Sequence, residues 1–346
     1  MRELTINGQS GQSRLLIGVP FAEIETQLDK AASVFIVDET VKALHPKCFE
    51  GKVVREIPGG EDSKSVDMLE ELYGCFLQLE LDRLAHIVAV GGGCVCDVTA
   101  LAAATYMRGV QLSIVPTTLL AQVDAGVGGK NAVNFGGFKN IVGSFRQPSV
   151  VLCDPSFLKT LPRKELSNGF AEAIKHALIL NREYFEFLAT HAKEALAVDE
   201  ATLERVVYES LVIKSSVVER DELENGERMK LNFGHTIGHA VEATTGLSHG
   251  EAVSIGMVAE AKFSLKRGLI SDASYSALLS ILGSYELPTR LYEGEAEEIK
   301  AALRKDKKRR GERISLCVLD GIGNSRLEEV ETDEIEELVD ALCLSR

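Results

Sequence analysis

Between residues 33 and 118 the chain repeats one pattern. A short β-branched run is followed by a stretch with helical spacing, and the pair then recurs. SVFIV (33–37), KVVREI (52–57), HIVAVGGG (86–93) and QLSIVPTT (111–118) have the composition of strands. SVDMLEELYGCFLQLEL (65–81) and VTALAAATYM (98–107) place apolar residues on one helical face. Strands that alternate with helices predict a parallel sheet covered on both faces, because each crossover must be long enough to hold a helix.

The second half changes character. From about Pro162 the periodic stretches are long and helical: 162–180, 200–220, 230–245, 250–267, 271–283 and 332–344. Two short strands, 313–319 and 326–330, come late. With 346 residues, and roughly 150 per domain as a guide, two domains are expected. The prolines of DPSFLKTLP (154–162) mark the join. The expected architecture is an α/β N-terminal nucleotide-binding domain with a parallel sheet over 1–158. A mostly α-helical C-terminal domain, binding metal and substrate, follows over 159–346.

Charge and hydropathy narrow the function classes. A formal net charge of −14 repels a polyanion, so nucleic acid is excluded as a general partner. No apolar run reaches the ~18 residues of a membrane span. The N-terminal stretch lacks a signal-peptide core, and no cysteine pair has metal-knuckle spacing. The chain is therefore read as cytoplasmic, with reduced thiols and no membrane partner.

Three features carry chemistry. The first is Gly91-Gly92-Gly93, which closes a strand and opens a helix containing Asp97. Glycines there admit a pyrophosphate close to the backbone, and a helix N-terminus offers free N–H groups. The spacing is not that of the usual dinucleotide fingerprint. Asp38, at the end of its strand, has two readings: a ribose-hydroxyl acceptor or a helix N-cap. Taken alone, the cap is favoured. Glu61 and Lys64 lie in a loop before helix 65–81, with Ser63 as its expected N-cap.

The second feature is the set His235, His239 and His249. His235 and His239 share a helix face, and His249 opens the next helix. Such density suggests a metal. The pattern is not H-E-x-x-H, since Thr236 follows His235, so the zinc-protease general base is missing. A catalytic metal site needs about three protein ligands and an open position. Glu172 is a candidate third ligand.

The third feature is basic. Lys130 and the pair Lys139-Asn140 sit in stretches read as glycine-rich loops. Lys175 shares a helix face with Glu172. The run Arg304–Arg310 is read mainly as a solvated segment in which one or two members reach a phosphate.

These stretches together resemble the dehydroquinate synthase family of sugar-phosphate cyclases. The resemblance runs through GGGCVCD (91–97), ATYMRG (104–109), VPTTLLAQVDAGVGGKNAVN (115–134), FKNIVGSFRQP (138–148) and LPRKELSNGFAEAIKH (161–176). It continues in MKLNFGHTIGHAVEATTG (229–246), HGEAVSIGM (249–257) and DKKRRG (306–311). It is collinear from about residue 34 to about 323.

The resemblance implies an NAD-binding domain, a metal-binding helical domain and an active site between them. It implies Glu172, His235 and His249 as ligands of zinc or cobalt, and moves His239 beside the reacting centre. NAD-side positions would be Asp38, Glu61, Lys64, Gly92, Gly93, Cys94, Asp97, Thr117, Thr118, Lys139 and Thr160. Substrate-side positions would be Arg108, Asp124, Lys130, Asn140, Lys175, Lys214, Arg228, Asn232, His239 and Lys307. Departures from the family pattern are small: Asn131 and His176 stand where Thr and Tyr are common, and Cys94 and Cys96 lie in the glycine loop.

The implied reaction converts 3-deoxy-D-arabino-heptulosonate 7-phosphate to 3-dehydroquinate and phosphate. It proceeds by transient oxidation with NAD, phosphate elimination, re-reduction and an intramolecular aldol closure. A homodimer is expected, with Arg108 reaching toward the neighbouring subunit. The alternatives are a sister cyclase acting on a carboxylate-free sugar phosphate and a metal-dependent polyol dehydrogenase. A scaffold protein without activity would have lost site residues that are intact here.

Overall fold

The computed structural model describes residues 1–28, 33–291, 296–304, 309–310 and 313–343. The first strands and helices are β1 (Arg2–Gly8), β2 (Gly11–Ile17), β3 (Ser33–Asp38), α1 (Glu39–Leu44), β4 (Val54–Ile57) and α2 (Val66–Gln78). They are followed by β5 (His86–Gly91), α3 (Gly93–Thr105), β6 (Gln111–Pro116), β7 (Lys130–Phe135), β8 (Phe138–Phe145) and β9 (Val150–Cys153). Then come α4 (Arg163–Leu180), α5 (Arg182–Thr190), α6 (Ala192–Leu196), α7 (Glu200–Arg220), α8 (His235–Thr245) and α9 (His249–Lys266). The chain closes with α10 (Asp272–Ser284), α11 (Ala296–Arg304), β10 (Arg309–Arg310), β11 (Arg313–Leu319), β12 (Ser325–Glu331) and α12 (Thr332–Cys343).

Two compact units divide the residues: Met1–Pro162 with Leu203–Glu222, and Arg163–Thr202 with Leu223–Arg346. The division is therefore not the contiguous one expected from the sequence. Residues 203–222 group with the first unit because polar side chains tie them there. Glu219 accepts from the backbone N–H of Asn7 at 2.8 Å. Glu222 accepts from Ser10 N and Gln147 Nε2, each at 2.9 Å. Gly8 allows this approach, since a Cβ on it would lie 2.6 Å from Glu222 Oε1.

The first unit holds a seven-stranded sheet in the order β1-β2-β9-β6-β5-β3-β4. Only β1–β2 is antiparallel; the other pairings are parallel. The central strands β3, β5, β6 and β9 are mostly apolar and buried, and β5 is buried at every residue. That is what a sheet covered on both faces requires. Leu16, Phe21, Phe35, Val88, Val115, Leu152 and Phe157 form one of its cores.

From β3 the chain winds out to β4, returns to β5 on the other side of β3, and continues to β6. The carboxyl ends of β3 and β5 thus flank a switch point, the place where open α/β sheets take ligands. Asp38, Gly91–Gly93 and Thr117–Thr118 all lie along that edge.

The Lys130 and Lys139 stretches, read as loops, form a β-hairpin instead. Gly136 and Gly137, at φ of 60° and 81°, supply the tight two-residue turn between β7 and β8. Nearly all of β8 is exposed on both faces, so the alternation that marks a half-buried strand is missing from its sequence.

In the second unit α4 is buried from Leu166 to Ile179. Helices α8 and α9 pack at glycines: a Cβ on Gly256 would lie 1.9 Å from Gly234 O, and one on Gly238 would lie 3.0 Å from Val253 Cα. The core around them joins Ile237, Val241, Ile255 and Phe263 to Leu316 and Val318 of β11 and to Ile335 and Val339 of α12.

Candidate active site

In the second unit three side chains converge. Glu172 comes from the middle of α4, His235 from the first position of α8, and His249 from the first position of α9. One ligand atom of each lies within 4.8 Å of the others. Local sequence explains the placement. Gly234, left-handed at φ +79°, turns the chain into α8. Ser248 opens α9, and its N–H and hydroxyl both bond Glu251 Oε2, at 2.9 and 2.6 Å.

Both imidazoles have their Nδ1 atoms committed. His235 Nδ1 is 3.1 Å from Phe233 O, and His249 Nδ1 is 3.1 Å from Glu242 Oε2. A carbonyl and a carboxylate can only accept, so each Nδ1 carries the proton. The Nε2 atoms then point at Glu172 Oε1, at 3.3 and 3.4 Å. Glu172 Oε1 is buried and has no aligned hydrogen-bond donor. Neutral imidazoles would direct two lone pairs at a carboxylate oxygen, an arrangement stabilised by a cation between them. Two histidines and one carboxylate, each held by an outer partner, fit a divalent ion of the zinc type.

The other carboxylate oxygen of Glu172 accepts from Lys175 Nζ, and both side chains are fully buried. Burial works against the Glu172 anion, but Lys175 and then His235 outweigh it and hold its carboxyl well below the usual range. The histidines diverge. Burial lowers His235, whereas for His249 burial is overcome by Glu172 and Glu242, which push it up to about 10. The two directions agree if a single proton, on His249, balances Glu172 when no metal is present. A metal would displace that proton.

His239, one turn beyond His235, is exposed. Its ring centroid is 5.2 Å from that of His235 and 6.1 Å from that of His249. In the same unit Arg228 is buried, and Asn232 Nδ2 donates to Glu224 Oε1 at 2.7 Å. Lys307 lies outside the described residues. Arg304, within the basic run, forms a two-pronged pair with Glu336 at 2.6 and 2.7 Å.

The first unit holds the positions expected on the NAD side, and Asp38, Gly92, Gly93, Thr117 and Thr118 follow the carboxyl ends of its strands. Helix α3 starts at Gly93 with Gly92 as N-cap and no side-chain cap, so its first amides face outward. A Cβ on Gly92 would lie 3.2 Å from Thr118 Cγ2, and one on Gly93 would lie 3.2 Å from Ala125 Cβ. The glycines keep this cradle open, which suits a pyrophosphate.

Asp38 caps α1 through Oδ1, accepting from Thr40 N at 2.8 Å, and its Oδ2 faces Gly59. Lys64 Nζ donates to Asp97 Oδ2 at 2.7 Å and to Asn140 Oδ1 at 2.6 Å. Burial pushes the Asp97 carboxyl up to about 6, and Lys64 restrains the rise. Cys94 Sγ bonds Glu61 Oε2 at 3.3 Å, and its thiol is pushed up to about 12, first by burial and then by Glu61. Lys214 Nζ donates to both the carbonyl and the carboxylate of Asp124.

Thr117 is buried, Lys130 and Lys139 are exposed, and Thr160 Oγ1 is 2.9 Å from His45 Nε2. Arg108 is exposed and follows Met107 with both residues at positive φ, 67° and 49°. The helix expected over 98–107 therefore ends at Thr105. The N-cap of α2 is Ser65, which accepts from Met68 N, while Ser63 turns its hydroxyl to Gly60 O.

Two residues that sequence reading passed over matter here. Glu242 lies three residues after His239 and orients His249. Asn134 donates to Glu61 Oε1 at 2.8 Å and accepts from Asn140 N at 2.9 Å, joining the hairpin to the Glu61–Lys64 loop. An acidic residue one turn from a histidine on a helix was a usable signal for Glu242. Asn134 had none.

Comparison with known proteins agrees with this geometry. Residues 54–168 match the family model for the N-terminal part of 3-dehydroquinate synthase, and residues 169–309 match that for its C-terminal part. The 3-dehydroquinate synthase of Pyrobaculum neutrophilum is 44% identical over 284 residues, covering 81% of this chain and 83% of the relative. A 2-deoxy-scyllo-inosose synthase complexed with carbaglucose-6-phosphate, NAD+ and Co2+ superposes with a TM-score of 0.88 at 26% identity, covering 98% of this chain and 99% of that one. The 2-epi-5-epi-valiolone synthase of Streptomyces hygroscopicus, with NAD+ and Zn2+ bound, gives 0.88 at 26% identity, covering 100% and 99%. On these matches the chain belongs to the 3-dehydroquinate synthase family.

Proposed function

We propose that the chain converts 3-deoxy-D-arabino-heptulosonate 7-phosphate to 3-dehydroquinate and phosphate, as a lyase that uses NAD and a divalent metal. The observation that carries this is the convergence of Glu172, His235 and His249, with Lys175 behind them, in a chain 44% identical to a curated 3-dehydroquinate synthase. The sister cyclases match at 26%. The difference favours the heptulosonate substrate over a carboxylate-free one.

Bound NAD supplies a hydride acceptor that can return the hydride to the same carbon, and the bound metal supplies a Lewis acid for a substrate hydroxyl. The residues of the chain bind and orient. Glu172, His235 and His249 would hold the metal, which would supply the Lewis acid. Lys175 balances the Glu172 charge and can present a proton beside the reacting hydroxyl. On the NAD side, the α3 amides and the glycine cradle receive the pyrophosphate. Lys64, Asp97 and Asn140 order the adjoining loops, and Asp38, Glu61, Thr117, Thr118, Lys139 and Thr160 complete the set.

For the phosphate the reading assigns Arg108, Lys130 and Asn140 of the first unit, His239 of the second, and Lys307. Substrate phosphate then leaves with little covalent help from the protein, whose part is orientation. Arg228, Lys214, Asp124 and Asn232 are assigned to the rest of the substrate. Arg228 has the planar fork that suits the C1 carboxylate.

The protein is proposed to act in the cytoplasm as a homodimer. Among the described residues no helix is long and apolar enough to cross a membrane. The β7–β8 hairpin exposes Phe135 at 61% and Phe138 at 57%, with Ile141, Val142 and Phe145 beside them. An exposed apolar face of that kind supports self-association.

The test is substrate discrimination. Wild-type protein should turn over the heptulosonate phosphate and reject sedoheptulose 7-phosphate by roughly 10⁴-fold, since a site built to bind the C1 carboxylate loses that interaction with the analogue. Arg228→Ala should impair turnover severely. Comparable efficiency on both substrates would move the assignment to a sister cyclase and leave the metal site standing.

A further inference from the structure

Glu260 is a fully buried carboxylate on α9, eleven residues after His249. Its Oε2 accepts from the backbone N–H of Gly234 at 2.7 Å. Its neighbours along the helix, Met257, Val258, Ala259, Ala261 and Phe263, are apolar and buried, and a carboxylate among them costs free energy unless it is paired. The amide it binds is at the amino end of α8, where the helix dipole and unpaired N–H groups favour an anion.

Gly234 is the residue that sets where His235 stands. Its carbonyl accepts from Gly238 N at 3.0 Å, which starts the α8 hydrogen-bond ladder. A Cβ at this left-handed position would lie 2.5 Å from Met257 Cγ and 2.8 Å from Val253 O. The residue before it, Phe233, supplies the carbonyl that fixes the His235 ring. The turn Phe233–Gly234–His235 is therefore held on α9 through Glu260 and the contact at Gly256.

Eleven residues make about three helical turns, so Glu260 and His249 lie on the same face of α9, roughly 16 Å apart along its axis. One helix thus provides the second imidazole at its amino end and grips the base of the first from the same face. A shift of the α8 terminus along α9 would carry His235 Nε2 away from Glu172 and His249.

We propose that Glu260 is a positioning residue for the metal centre: by clamping the Gly234 amide it fixes His235 along α9. The inference rests on the metal reading above. Wild-type protein that binds no zinc would refute that reading itself, whereas the variants test only the clamp.

The measurements are zinc affinity by competition with a chromophoric chelator and the visible spectrum of the cobalt-loaded protein. Glu260→Gln keeps an acceptor oxygen for the amide. It should bind zinc within about threefold of wild type, with an unchanged cobalt spectrum. Glu260→Met fills the space without an acceptor. It should weaken zinc binding by roughly 10–100-fold and alter the cobalt spectrum. Should Glu260→Met fail to give soluble protein, Glu260→Asp decides. It withdraws the carboxylate by one methylene and should still change the cobalt spectrum and weaken zinc at least about threefold. Wild-type affinity and spectrum in the Met or Asp variant, or their loss in Glu260→Gln, would overturn the proposal.

Discussion

Glu242 and His249 form a hydrogen bond of 3.1 Å between Oε2 and Nδ1, and this bond decides which nitrogen of His249 faces Glu172. Glu242 comes from α8 and His249 from the start of α9, so the pair also closes the three-residue link between the helices. A carboxylate behind a ligating imidazole fixes its tautomer and raises its basicity.

Glu242→Ala should therefore weaken zinc binding by roughly 10–100-fold while leaving the helices folded. Chelator competition at neutral pH with far-UV circular dichroism alongside would check both parts. Unchanged zinc affinity would mean that the Glu242 bond is incidental.

A second prediction concerns Glu222 and acid stability. Burial disfavours its anion, but hydrogen bonds from Ser10, Gln147 and the Gln9 and Ser10 amides outweigh it and hold the carboxyl below its ordinary 4.5. A lowered folded value means that its contribution is present above the unfolded value and lost as pH falls through the folded one. Glu222→Ala should cost about 1–3 kcal/mol at neutral pH, with the gap to wild type narrowing below about pH 4. Urea unfolding at both pH values is the check; a pH-independent gap would contradict it.

A third prediction concerns Lys64 and Asp97. Asp97 stands at about 6 against an ordinary 3.8, because burial exceeds the help from Lys64. The folded state thus retains a proton that the unfolded chain has lost, and stability falls as pH rises across that window. Lys64→Met removes the restraint, so the carboxyl should rise further and the fall should extend to higher pH. The destabilisation should be about 1–3 kcal/mol larger near pH 8 than near pH 5. Equal destabilisation at both would count against the pairing as described.

The alternation of strands and helices in the first half was legible because buried parallel strands are continuous apolar runs. HIVAVG (86–91) could be little else. The long helices of the second half showed in their spacing, and so did the histidine set, since helix geometry alone puts His235 and His239 on one face. The β7–β8 hairpin was read as loop because β8 is exposed on both faces and carries no alternation. The Gly136-Gly137 turn was the one available signal. The grouping of 203–222 with the first unit depends on Glu219 and Glu222 meeting residues more than two hundred positions earlier, which no local pattern encodes. Glu260 looked like any charged residue on a helix, and only the fold brings it to Gly234.

In the proposed reaction oxidation and reduction cancel. The direct measurement follows phosphate release from 3-deoxy-D-arabino-heptulosonate 7-phosphate by the zinc-loaded protein with NAD, while monitoring reduced nicotinamide by its near-ultraviolet absorbance. Phosphate release should be continuous, stop when the metal is chelated and resume when zinc is restored, with no accumulation of NADH. One NADH formed per turnover, or steady phosphate release without metal, would contradict it.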